Sequence, residues 1–373
     1  MHAYKTATDR RVDNRRIRTG IFGLSHPHIS TLYGMMKRRP EDFEIVGFAD
    51  IPPSDALSSQ RRLFEGSDSP REYADWRKLA AQSLDLAVVT TDNASRGDVC
   101  CELLSRGIHV LDEKPMAMNY ADAERMYRCA KENGVRMLTN WPIAWFPTFR
   151  LAKQLLDEGR IGKLMRVVYR SPATWGPFSY SNGGILPPEE ELKKSWWYQA
   201  DRGGGSILDY ACYGAILSTW MFGHRARRVG CMTKQFTTGF CDVEDYSAMM
   251  LDFGDGIGLL EGSWSTFNCG EIPTGPVLYG TDGVIVCDRH SKKVKLYSGI
   301  SHPPVAPVEV FEPGDIRQEE MLGADIVRSI RDGIDPDEML GTELNLDVVA
   351  ALDAGMRSAK TGVIENTMPL ADI

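Results

Sequence analysis

The first third of the chain alternates short apolar runs with stretches whose apolar positions recur every three or four residues. Residues 17–23, 43–49, 84–90, 107–111 and 135–139 are apolar or nearly so and read as strands. Between them, residues 28–38 place Ile29, Leu32, Met35 and Met36 at helical spacing. Residues 94–105 and 120–133 read as two further helices, the last closed by Gly134 as a C-cap. Strands alternating with helices at this interval predict a parallel, doubly wound sheet. Ligands on such sheets lie beyond the carboxyl ends of the strands.

The pattern changes in the second half. A helix over 148–159 and a strand over 163–170 precede a long irregular stretch, 171–199, which holds Trp175, Phe178, Tyr180, Trp196, Trp197 and Tyr198. Its aromatic content predicts an ordered loop near a site. After Gly203, Gly204 and Gly205 a helix is expected that puts Asp209 and Tyr213, four residues apart, on one face. Alternation then takes over, and 229–233, 246–252, 257–264, 277–280, 284–287 and 293–297 read as strands of a mainly antiparallel sheet. Helices around 318–332 and 344–360 close the chain. The fold class expected is α/β, a doubly wound parallel sheet followed by a C-terminal α+β domain.

Composition narrows the functional classes. A chain of 373 residues, 43% hydrophobic and 25% charged, can build two cores of ordinary size. No apolar run approaches the roughly 20 residues that span a bilayer, so no membrane role is expected. The net charge of −8 argues against nucleic acid as a general partner. Lys5, Arg10, Arg11, Arg15, Arg16 and Arg18 make the start of the chain basic, and no apolar segment of the export-signal kind follows them. They read as a mobile or subunit-clasping arm, with a targeting or anion-binding arm as the alternative. Eight cysteines without a Cys-x-x-Cys pair predict reduced thiols in the cytoplasm. Seven histidines show no His-Glu-x-x-His arrangement, and no metal is expected.

The candidate chemistry lies at the strand ends. Gly23 closes the first strand, and a tight turn leads into a helix, the arrangement that offers backbone N–H groups and a helix dipole to a pyrophosphate. The glycine pattern is eroded, because Ser25 and His28 stand where G-x-G-x-x-G would place its second and third glycines; a plain strand-to-helix connection is the alternative. Asp50 ends the second strand, where a dinucleotide fold binds ribose hydroxyls and an acidic charge disfavours a 2′-phosphate. Thr91, Asn93, Glu113, Lys114 and Asn140 fall at the remaining ends. Pro115 restricts Lys114 to extended conformations and so aims its ammonium, unless Glu113 and Lys114 are a solvated loop pair.

Taken together, Glu113-Lys114-Pro115, Thr91-Asp92-Asn93, the triple glycine followed by Asp209, and the closing Ser358-Ala359-Lys360-Thr361-Gly362 resemble the glucose-fructose oxidoreductase, inositol dehydrogenase and rhizopine-catabolism family (Gfo/Idh/MocA). The resemblance runs from about Arg16 to Leu370. It implies an arm over 1–15, a dinucleotide-binding Rossmann domain over 16–144, and a domain for substrate and oligomer contacts over 145–373. It further implies a cytoplasmic oxidoreductase that uses NAD, with NADP as the alternative, on a secondary alcohol or ketone of a sugar, polyol or glycoside. A homo-oligomer, dimer or tetramer, is expected. Many members carry a histidine as proton acceptor where this chain has Tyr213, so it resembles the tyrosine branch. The implied catalytic residues are Lys114, Tyr213 and Asp209, with Gly23, Ser25, His28, Asp50, Thr91, Asn93, Glu113 and Lys114 on the cofactor. Asn140, Trp141, Trp175 and Trp196 are the substrate candidates, with core packing as the alternative for each tryptophan. The alternatives are a glycoside-cleaving enzyme that uses tightly held NAD transiently and a non-catalytic, dinucleotide-binding regulator.

Overall fold

The computed structural model describes residues 15–52, 54–170, 176–178, 186–266, 273, 275–288, 292–299 and 306–368. Residues 1–14 of the basic arm and Trp175 lie outside them, whereas Arg15 pairs with Asp85, and Arg16 and Arg18 with Glu44. The chain divides into two compact units, the first being Met1–Trp141 with Glu190–Gly203 and Glu319–Leu346, and the second the remainder.

In the first unit, β1 (Ile17–Phe22), β2 (Phe43–Ala49), β3 (Leu86–Val89), β4 (His109–Glu113) and β5 (Met137–Asn140) form a parallel sheet in the order β2-β1-β3-β4-β5. Helices α1 (Ile29–Arg38), α2 (Trp76–Ala80), α3 (Asn93–Ser105) and α4 (Tyr120–Glu132) alternate with the strands. Every residue of β3, β4 and β5 is buried, which is why these strands are continuous runs rather than alternating ones. Beyond β2 a parallel bridge joins Phe48 to Glu72. Counting it as a strand gives the 3-2-1-4-5-6 order of dinucleotide-binding folds, which reverses between β1 and β3. A single bridging residue has no periodicity, so nothing in the apolar pattern announces it.

The strand expected to stop at Leu111 runs on to Glu113, because Asp112 and Glu113 stay in register with Thr139 and Asn140 of β5. Glu113 is 0% and Lys114 2% exposed. They are not a solvated loop pair.

The later helices are α5 (Pro147–Asp157), α6 (Glu189–Leu192), α7 (Cys212–Phe222), α8 (Gln318–Arg331) and α9 (Thr342–Thr361). The sheet of the second unit uses β6 (Leu164–Arg170), β7 (Arg228–Lys234), β8 (Tyr246–Asp252), β9 (Ile257–Ser263), β10 (Val277–Gly280), β11 (Gly283–Asp288), β12 (Lys293–Ser298), β13 (Glu309–Phe311) and β14 (Glu365–Asn366). Their order is β13-β12-β11-β10-β6-β9-β8-β7-β14, antiparallel except for β6 against β9. The short edge strands β13 and β14 escape the alternation pattern. Helix α7 lies so close on one face that a Cβ on Gly214 would come within 2.8 Å of Leu260. The other face turns Met232, Met250 and Leu259 outward. Among the described residues no helix is long and apolar enough to cross a membrane.

Candidate functional site

The turn after β1 is built by close approach. Gly23 has φ +86°, and a Cβ there would stand 2.7 Å from Thr91 Cγ2 and 2.8 Å from the Thr91 nitrogen. Only glycine combines that dihedral with that space. Thr90 Oγ1 donates to the Gly23 carbonyl at 2.7 Å, and the Ser25 N–H to the Thr90 carbonyl at 3.1 Å, tying the β1 and β3 turns together. Ser25 Oγ, His26 Nε2 and Asn93 Oδ1 are buried without a hydrogen-bond partner among the described residues. Asp50, at the end of β2, accepts from Ser54 N at 3.2 Å and Ser54 Oγ at 2.6 Å.

At the end of β4, Glu113 is held on both oxygens. His28 Nδ1 lies 2.7 Å from Oε1, and Asn140 Nδ2 donates to Oε2 at 2.8 Å. Burial pushes this carboxyl up, but the charges of His28 and Lys114 and the two hydrogen bonds outweigh it and hold the group below its ordinary value. His28 thus earns its place by a side chain rather than as a substitute for glycine. Burial, with the positive charges of His28, Lys114 and Arg96, drives His26 well below its ordinary value and keeps its imidazole neutral. His26, His28 and Glu113 offer ligand-type atoms within 4.8 Å of one another, although no metal was expected. The Lys114–Pro115 peptide is cis.

A strap from the later sequence belongs to the same unit. Trp196 donates its indole N–H to the Ser25 carbonyl at 3.0 Å and stacks on Trp197 with centroids 3.9 Å apart. Arg202 Nε donates to Asp92 at 2.7 Å, and Asn93 Nδ2 to the Gly203 carbonyl at 2.7 Å. Asp92 also caps α3 through the Ser95 N–H at 2.9 Å. Trp196 therefore packs on the β1 turn, 1% exposed, in the manner of the core-packing alternative to a sugar platform. Trp141 is likewise 1% exposed and donates to Asn345 Oδ1 at 2.7 Å, a core tryptophan. Asn140 is occupied with Glu113. Trp175 lies outside the described residues.

In the second unit the helix expected after the glycines opens as a π-turn, Ile207–Ala211, before α7 begins. Asp209 lies in that turn and Tyr213 at the start of α7. The extra residue per turn departs from the plain i, i+4 face, a departure found at functional sites. Trp264 Nε1 donates to Asp209 Oδ2 at 2.8 Å. Tyr213 is partly exposed, its ring 6.2 Å from that of Tyr210. Glu244 accepts from the Ile207 N–H at 2.8 Å, and a Cβ on Gly205, φ +103°, would stand 2.6 Å from its Oε1. Burial pushes the Glu244 carboxyl up to about 7, against that hydrogen bond. Neither Trp264 nor Glu244 is foreseeable from local pattern, since their partners lie 55 and 37 residues away in sequence. Arg96 and Asp92 were the legible omissions, charged residues beside Asn93 on a buried helix start.

Residues 17–140 match the family described as an oxidoreductase family with an NAD-binding Rossmann fold, and residues 149–286 match the GFO/IDH/MocA C-terminal domain. The dTDP-3,4-didehydro-2,6-dideoxy-α-D-glucose 3-reductase of Actinomadura kijaniata is 33% identical over 30% of this chain and 29% of its own. The trans-1,2-dihydrobenzene-1,2-diol dehydrogenase of Xenopus laevis is 26% identical over 61% and 63%. The match spans less than two thirds of each. The structure of the WlbA dehydrogenase from Bordetella pertussis, solved with NADH and UDP-GlcNAcA, superposes with TM-score 0.73 at 21% identity over 96% of this chain and 100% of that one. The aldose-aldose oxidoreductase of Caulobacter crescentus, complexed with glycerol, gives 0.72 at 19% over 94% and 100%. These likenesses are of fold.

Proposed function

Because the chain belongs to the Gfo/Idh/MocA family of oxidoreductases, with an NAD-binding Rossmann domain over 17–140, we propose that it moves hydride between a nicotinamide dinucleotide and a secondary alcohol or ketone of a sugar, polyol or glycoside. The reading rests on one observation above all: Glu113 and Lys114, at a strand end, are buried and held rather than solvated.

The residues fit the dinucleotide. Gly23 leaves no room for a side chain at the β1 turn, and Ser25 Oγ, His26 Nε2 and Asn93 Oδ1 are buried polar atoms that still want partners, as a polar ligand across β1 and β3 would supply. Asp50 supplies the acidic group for ribose hydroxyls. When bound, the nicotinamide supplies the hydride-exchanging carbon.

The chain's own groups manage the proton. Tyrosine titrates near pH 10 and is a weak base at neutrality unless a positive charge favours its phenolate. In this reading Tyr213 Oη takes the alcohol proton in oxidation and returns it in reduction, and Lys114 Nζ is the ammonium that the dinucleotide-binding unit offers to the reacting oxygen. Asp209, fixed by Trp264, orients the alcohol. A screen of sugars, inositols and glycosides, followed by the absorbance of reduced nicotinamide, tests the proposal. Release of a leaving group without net reduction would favour the glycoside-cleaving alternative, and no turnover of any candidate would favour the regulator.

The assembly we infer is a cytoplasmic homo-oligomer paired through the outer sheet face of the second unit. Met232, Ala248, Met250 and Leu259 share that face, rimmed by the Arg170–Glu261 and Arg228–Asp252 pairs. An apolar centre within a charged rim is the anatomy of a subunit contact. The described cysteines are free thiols, as a reducing compartment keeps them. Light scattering of Met250→Glu against wild type tests the contact, and an unchanged mass refutes it.

A further inference from the structure

We infer that Arg96 is a positioning residue, holding Lys114 in place by clamping the main chain beside it. The inference rests on the reading of Lys114 as the ammonium of the reaction site. Arg96 sits in the first turn of α3, 0% exposed. Its guanidinium forks between two backbone carbonyls, Nη1 to Pro115 and Nη2 to Thr91 at 3.0 Å. Those carbonyls belong to the turns that follow β4 and β3, the two turns that carry Lys114 and Asn93. None of its hydrogen bonds among the described residues goes to a carboxylate. Asp112, a buried carboxyl that feels the Arg96 charge, is pushed well up by burial in spite of it, so it answers that charge poorly.

A fully buried cation is a costly thing to keep for packing alone. A planar guanidinium reaches two acceptors at a fixed angle, whereas an ammonium meets them one at a time, so the choice of arginine fits a clamp between two turns. The Pro115 carbonyl is one peptide from Lys114. Fixing it removes the freedom by which the lysine backbone could rotate.

The test is the rate of Lys114 acetylation by acetic anhydride in the purified full chain, read by mass spectrometry against the exposed Lys37. Arg96→Gln is expected to raise the relative rate about tenfold, because a released turn opens locally more often. Arg96→Lys, which keeps the charge without the fork, should raise it too and serves where Arg96→Gln does not fold. An unchanged rate overturns the inference. Turnover supplies a second arm: the Arg96→Gln/Lys114→Ala double variant should be no slower than Lys114→Ala alone, since one residue acts through the other. Multiplying losses would mean an independent structural role and also overturn it. Wild-type turnover in Lys114→Ala would instead refute the catalytic reading of Lys114, which the acetylation rates do not depend on.

Discussion

Trp264 donates its indole N–H to Asp209 Oδ2 at 2.8 Å, joining two residues 55 apart in sequence. The aspartate is 7% exposed, so protein groups such as that indole, rather than water, set its direction. Trp264→Phe keeps an apolar ring and removes the N–H. Withdrawing a donor from a buried carboxylate costs about 1–3 kcal/mol. Urea unfolding should show that loss of stability, and turnover should fall with cofactor affinity unchanged. An unaltered unfolding midpoint would show that the bond carries nothing.

Lys114→Ala and Tyr213→Phe should each reduce turnover by about 10²–10⁴-fold, the range for positioned acid–base groups. Binding of NADH, followed by its fluorescence, should survive in both. Wild-type turnover in either variant would remove that residue from the mechanism.

Asp50 should make kcat/KM higher for NAD than for NADP, since a carboxylate at the second strand end repels a 2′-phosphate. Asp50→Ser should narrow the ratio. Ser54 already holds both oxygens of Asp50, so the ribose hydroxyls would share a carboxylate fixed in advance.

The pH dependence of stability should carry the mark of Glu244. Its carboxyl is raised from 4.5 to about 7 in the fold, so between those values the folded chain binds a proton that the unfolded chain releases. Stability from this group is therefore present below pH 4.5 and lost as pH rises to about 7, by at most about 3 kcal/mol. Glu244→Gln keeps an acceptor for the Ile207 N–H and should flatten that slope and stabilise the protein above pH 7. Unfolding curves at pH 5 and pH 8 decide it; parallel slopes in variant and wild type would refute the assignment.

Much of the architecture was legible because burial repeats at fixed periods. Strands buried on both faces are unbroken apolar runs and helices show a stripe every three to four residues, so the alternation of β1 to β5 with α1, α3 and α4, and the ends where Gly23, Asp50, Asn93 and Glu113 fall, follow from residue order, while the five-residue α2 does not. The bridging residue Glu72, the two-residue β14 and the π-turn before α7 were not legible, since a period needs several repeats to be seen.

The side-chain pairings belong to the other kind of knowledge. Sequence determined that a lysine follows an acidic residue and precedes a proline at a strand end. It could not say that Glu113 is held by His28, 85 residues earlier, and by Asn140. Nor could it say that Trp141 and Trp196 spend their indoles on Asn345 and Ser25, or that Arg96 is buried against Pro115. Backbone periodicity is local, because each residue's burial depends on its neighbours one turn or two positions away. A hydrogen bond is decided by which distant atom arrives within 3 Å, and only the folded chain brings them there.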